Sequence, residues 1–127
     1  MALLIVESQL GDVTLLKLSG QLTMGLDAGE LKERMQKLVT EAKINVIMNL
    51  GELNFIDSCG LGELVACLTT LKKSGGSLKL AKPTEFVRAI LRTTRLDSLL
   101  VSYESDEDAL TSFSLQDRPE SGELGTE

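Results

Sequence analysis

The sequence contains no histidine and no tryptophan in 127 residues, and aromatic residues make up only 3% of it. Without histidine the chain lacks the commonest general base at neutral pH, the commonest metal ligand, and every Ser-His or Cys-His nucleophile pair. A lysine or carboxylate could still activate a nucleophile, so this absence alone does not exclude an enzyme; the expectation is a binding module, not an enzyme, with no metal site and no cofactor. So few aromatic rings leave an aliphatic core and few platforms on which nucleic-acid bases could stack. No apolar run approaches the roughly 20 residues a membrane-spanning helix needs. The opening segment, residues 1–9, has no basic stretch and no small-residue cleavage site, so a signal peptide is not expected. Cysteines are also scarce: only Cys59 and Cys67. On one helix they would stand about 12 Å apart along the axis, at ~1.5 Å per residue, too far for a disulfide. A reducing, cytoplasmic location is the expectation.

Hydrophobic residues make up 43% of the chain, enough for a globular fold of this length without staples. The net charge of −6 is unevenly spread. Residues 104–127 carry eight acidic side chains and a single basic one, Arg118, whereas residues 1–103 carry eleven acidic and twelve basic. The nearly neutral body predicts no direct binding to nucleic acid or to an anionic membrane.

Hydrophobic patterning gives the order of elements. Residues 2–7 and 13–18 read as a hairpin around Gly11-Asp12, with Ser19-Gly20 breaking the second strand. A helix over 27–42 shows the stripe Leu31, Met35, Leu38, with Asp27 as its N-cap. The apolar run 44–50 reads as a strand covered on both faces. Residues 52–56 read as an irregular connector with Leu53, Phe55 and Ile56 turned inward. A second helix spans 58–73, with Leu61, Leu64, Val65, Leu68 and Leu71 buried, and Ser74-Gly75-Gly76 stopping it. A strand over 77–81 follows. A helix over 83–93 has Pro83 at its first position and Phe86, Val87, Ile90 and Leu91 on its core face. The last elements are a strand over 99–103 and a helix from Ser105 to about Phe113. Residues 1–114 make one domain, and an acidic, disordered tail over 115–127 is expected. The order ββαβαβαβα predicts an α/β fold: a mixed sheet that opens with an antiparallel hairpin and continues by parallel crossovers, packed with about four helices. The lysines at 72, 73, 79 and 82 form at most a weak basic patch.

The segment 54–62, NFIDSCGLG, concentrates the polar chemistry. Gly60-x-Gly62 is not a dinucleotide fingerprint, because Val65 stands where a third glycine is required, and no Walker lysine follows. The glycines read as close-packing positions at a helix start. Asp57 and Ser58 fall where a helix begins, and either side chain suits the free amides of its first turn. Read blandly, this is an ordinary cap. Read functionally, a phosphate on Ser58 would sit at a helix N-terminus, which favours anions, and would add about −1.5 to −2 charges to the surface. Cys59 reads as a small packing residue, and Cys67 as core.

From Ser19 to Leu100 the sequence resembles the STAS domain family, in particular bacterial anti-sigma factor antagonists. The residues that carry the resemblance are Gly20-Gln21-Leu22, the run 46–64 (VIMNLGELNFIDSCGLGEL), Gly75-Gly76-Ser77-Leu78, and the helix 84–96 with Phe86 and Leu91. The resemblance implies that Ser58 is phosphorylated by the partner, an anti-sigma factor that is also a serine kinase, and that Asp57 shapes the acceptor site. It implies that the unphosphorylated form sequesters the anti-sigma factor and that a PP2C-type phosphatase resets the switch. Partner contacts are expected from Thr23, Asp57, Ser58, Cys59, Gly60 and Leu61, in a monomer or weak dimer. Two positions depart from the family pattern: Cys59, where serine or threonine is usual, and Thr23, where many members carry an acid. The alternative is a STAS scaffold or accessory subunit in a stressosome-like or transporter ATPase assembly. A nucleotide-binding or hydrolysing domain is a third, weaker reading.

Overall fold

Period-two and helical patterning resolve into five strands and four helices among residues 2–116, the part of the chain that the computed structural model describes. They run in the order β1 (Leu4–Leu10), β2 (Val13–Leu22), α1 (Leu26–Thr40), β3 (Asn45–Ile56), α2 (Ser58–Lys73), β4 (Ser77–Ala81), α3 (Glu85–Thr93), β5 (Ser102–Tyr103) and α4 (Asp106–Gln116). The strands form one sheet in the order β1-β2-β3-β4-β5. The opening pair is antiparallel and the other three pairs are parallel, giving the mixed sheet expected. The expected tail lies outside the described residues from 117 onward. Residues 115–116 belong to α4 rather than to the tail.

The sheet separates two cores of unequal size. On one face, Leu16, Leu18, Met48, Leu50 and Leu80 meet Leu31, Met35 and Leu38 of α1, Leu64, Leu68 and Leu71 of α2, and Val87 and Leu91 of α3. On the other, Val13, Ile47 and Ala81 meet Ala109 and Phe113 of α4, with Leu15, Tyr103 and Leu110 partly buried against them. β3 contributes to both, so its first half is buried on both faces as its apolar run predicts. The small core also encloses two polar side chains. Asn49 is held by Asp106, to whose carboxylate its amide donates at 2.8 Å, and by the Gly51 amide at 2.9 Å. Lys79 is 4% exposed, with its ammonium 5.3 Å from the Phe113 ring centre and 5.8 Å from that of Tyr103. It therefore belongs to no surface patch.

Several local expectations are corrected. β2 runs through Ser19-Gly20 to Leu22, because Gly20 adopts φ +96° and the register with β3 shifts on both sides of it. Glycine absorbs the bulge and pairing resumes. The stretch 52–56 is likewise strand, paired with 19–22. The N-cap of α1 is Gly25, and Asp27 lies inside the first turn. Pro83 precedes α3; Thr84 is the cap, its hydroxyl accepting from the Val87 amide at 3.2 Å. The last strand shrinks to Ser102–Tyr103.

Candidate functional site

β2 and β3 are parallel neighbours and end together, at Leu22 and Ile56. The chain leaves both at one end of the sheet, through the turn 23–25 into α1 and through Asp57 into α2. Backbone groups join these exits: the Asp57 amide donates to the Leu22 carbonyl at 3.3 Å. Asp57 is extended, with φ −102°, and caps α2. Its Oδ1 accepts the Gly60 amide at 2.8 Å, and its Oδ2 accepts the Met24 amide at 3.0 Å. These two backbone donors, Gly60 first, hold the carboxyl below the usual aspartate range, since they bond the charged form. The Asp57 carbonyl takes the Leu61 amide at 2.9 Å, which starts the helical ladder. Gly60 is buried against Leu22, whose carbonyl oxygen a Cβ would overlap.

The six residues expected to meet a partner therefore divide. Ser58 and Cys59 are exposed on the first turn of α2, and Asp57 is half-buried. Gly60 and Leu61 are buried and build the turn rather than its surface. Thr23 is half-buried, and its hydroxyl donates to Asp27 Oδ2 at 2.8 Å. Asp27 Oδ1 in turn accepts the Leu3 amide at 3.3 Å, so Thr23 and Asp27 tie the turn to the start of the chain. Cys67, 1% exposed, faces Glu63 at 3.6 Å. Burial, and then the neighbouring carboxylate, push its thiol pKa up, which keeps it protonated and inert.

Exposed apolar groups lie on the two segments that Asp57 joins, the β2–α1 turn and the end of β3. Met24 and Leu26, in and after the β2–α1 turn, are 70% and 91% exposed. Phe55, just before the site, stacks on Phe86 at a centroid separation of 5.5 Å, and both rings remain more than 40% exposed. Both phenylalanines were expected in the core, a correction. The only sequence signal for such a surface was Met24 and Leu26, two large apolar residues beside a turn glycine.

A five-stranded mixed sheet packed with four helices is the common ground with known proteins. The chain belongs to the STAS domain family, whose model matches residues 5–109. Among individual relatives, a Thermotoga maritima protein described as a candidate anti-sigma factor antagonist is 32% identical over 65 residues. That match covers 51% of this chain and 58% of the relative. The crystal structure of a Thermotoga maritima candidate anti-sigma factor antagonist superposes with a TM-score of 0.79 at 25% identity, covering 85% of this chain and 92% of that one. The Bacillus cell fate determinant SpoIIAA, solved in its phosphorylated form, shares the fold with a TM-score of 0.68 at 17% identity, over 87% of this chain and 99% of that one.

Proposed function

We propose that this chain is an anti-sigma factor antagonist whose docking is switched by phosphorylation of Ser58. The observation that carries the reading is the placement of Ser58: exposed, first in α2, and next in sequence to the capping Asp57. The partner is an anti-sigma factor of the serine-kinase type, and a PP2C-type phosphatase reverses the modification. Both act in the cytoplasm. The unphosphorylated protein sequesters the anti-sigma factor and so frees a sigma factor for transcription. The relatives' description as candidate anti-sigma factor antagonists supports the general role, and the phosphorylated state of the Bacillus protein supports the switch.

The mechanism is exclusion by charge. The partner covers Ser58 and Cys59 together with the neighbouring apolar side chains, while Gly60, Leu61, Asp57 and Thr23 shape the surface from beneath. A phosphate left unpaired under that contact costs about 3–4 kcal/mol, and each ~1.4 kcal/mol is tenfold in affinity. One modification thus weakens docking about a hundred- to a thousandfold. The test is capture of partners from native lysate in the presence of ATP, with mass mapping of the phosphate. Recovery of a serine-kinase anti-sigma factor with phosphate on Ser58 is expected. Ser58→Ala binds that partner constitutively and Ser58→Asp weakly; equal affinity of the two variants overturns the reading.

A further inference from the structure

The sheet ends in two edges of unequal length. β5 offers only Ser102 and Tyr103, whereas β1 runs through seven residues, Leu4–Leu10, and pairs with β2 without a bulge. An edge strand is ordinarily blunted by a lysine, a proline or a bulge, because its outward backbone groups are a template for another chain. β1 has none of these. Its one charged side chain, Glu7, is neutralised from within by Arg34 at 3.3 Å and Lys43 at 3.6 Å. Leu4 and Val6 alternate with the buried Ile5, so they point to the other face of the sheet, where they are 59% and 50% exposed. The outward backbone groups can be assigned. Gly11 opens the β1–β2 turn with φ +66°, as glycine does at the first central position of a two-residue type II′ hairpin. Leu10 and Val13, which flank that turn and pair with each other, then share its closing hydrogen bond. Alternation turns the backbone groups of Ser8, Val6 and Leu4 toward β2 as well, and those of Gln9, Glu7 and Ile5 outward. The Leu3 amide, next in the outward series, accordingly donates to Asp27 Oδ1 of α1.

We propose that β1 pairs antiparallel with β1 of a second copy of this chain, about a two-fold axis at Val6, so that two five-stranded sheets join into one. In this register Ile5 of each copy exchanges backbone hydrogen bonds with Glu7 of the other. Val6 meets its own copy at a non-hydrogen-bonded position, where Cα atoms approach to about 4.5 Å, and Leu4 lies diagonal to it on the same face. The exposed apolar side chains of the edge are thereby buried against each other. Leu3 keeps its bond to Asp27, because the pairing does not need its amide. Each Glu7 opposes Ile5 rather than a second carboxylate, and carries its own two bases with it. A second copy is the occupant that this edge fits: it supplies the same outward groups in reverse order, an apolar centre and no net charge, which is what a two-fold contact requires. The pairing does not depend on the switch at Ser58.

The experiment is sedimentation equilibrium of the full chain over a concentration series, read together with directed cross-linking. The average mass is expected to rise with concentration toward twice that of one chain. A mass that stays at one chain throughout, as it would if the edge served only a strand of some other protein, overturns the proposal. Val6→Lys sets like charges face to face at the axis on a side chain that is already exposed. It is expected to abolish the dimer while the circular dichroism and the urea midpoint stay unchanged; a folded variant that still dimerises overturns the proposal. Cross-linking tests the register in a Cys59→Ser background, which leaves only the buried Cys67. Val6→Cys is expected to oxidise to a covalent dimer. Ser8→Cys is not, because in this register Ser8 stands four positions from its copy along the strand, about 13 Å at ~3.4 Å per residue, beyond the roughly 7 Å that a disulfide spans. Failure of Val6→Cys to cross-link, or equal cross-linking of the two variants, overturns the proposal.

Discussion

Gly60 lies so close to the carbonyl of Leu22 that no side chain fits between them. Two residues further on, Gly62 faces open space: a Cβ there would meet nothing within 4 Å. The two glycines of one short motif therefore answer to different constraints. Gly60→Ala forces α2 away from the end of β2 and is expected to destabilise the fold by at least about 2 kcal/mol, the range of an overpacked core. Gly62→Ala removes a helix-weakening residue and is expected to stabilise by about 0.5–1 kcal/mol. Urea unfolding of both variants checks the opposite signs.

Asp57 makes stability depend on pH. Its folded pKa is depressed, chiefly by the Gly60 amide and then by the Met24 amide. Its contribution is therefore fully present above the ordinary aspartate pKa, near ~3.9, and is lost as pH falls through the lower folded value. A carboxyl titration by NMR should place Asp57 below that value. Asp57→Asn should flatten the acid limb of the stability curve.

The two thiols should react at very different rates. Cys59 is exposed, whereas Cys67 is buried beside Glu63 with its thiol pKa raised. In the folded protein a thiol-specific reagent should label Cys59 alone. Cys67 should become reactive only in denaturant, and mass spectrometry of the labelled peptides distinguishes them.

Helix α4 holds the smaller core by few side chains. Phe113→Ala removes its largest buried group and one of the two rings facing the Lys79 ammonium. A loss of about 3–5 kcal/mol is expected, as for other buried phenylalanines. Backbone amides of α4 should lose hydrogen-exchange protection before those of α2.

Where residues had to be buried on a fixed period, the sequence was informative. Leu31, Met35 and Leu38 mark the inner face of α1, and Leu64, Leu68 and Leu71 that of α2, because only those spacings point one way on a helix. The unbroken run 44–50 announced a strand covered twice. Ser58 was legible as a helix start because a short polar pair followed an apolar run. Sequence reasoning failed where tertiary partners decide. Gly20 reads as a break, yet β3 is available to pair on both sides of the bulge. Phe55 and Phe86 read as core by composition, yet they shield each other at the rim. Lys79 reads as surface, but its aliphatic stem and charge fit between rings brought by two other elements. Asp57 was legible as a cap; its second bond, to Met24, joins residues 33 positions apart and has no sequence signature.

In the order β1-β2-β3-β4-β5, each strand's neighbour is the strand made just before or just after it. Chain emerging from the ribosome can thus lay down the sheet from one edge, every new strand finding its template already present. Apart from the closing contact of α4, which reaches back from Asp106 to Asn49, the topology leaves no half-built interior waiting for a distant segment. Exposed apolar edges are thereby short-lived during synthesis.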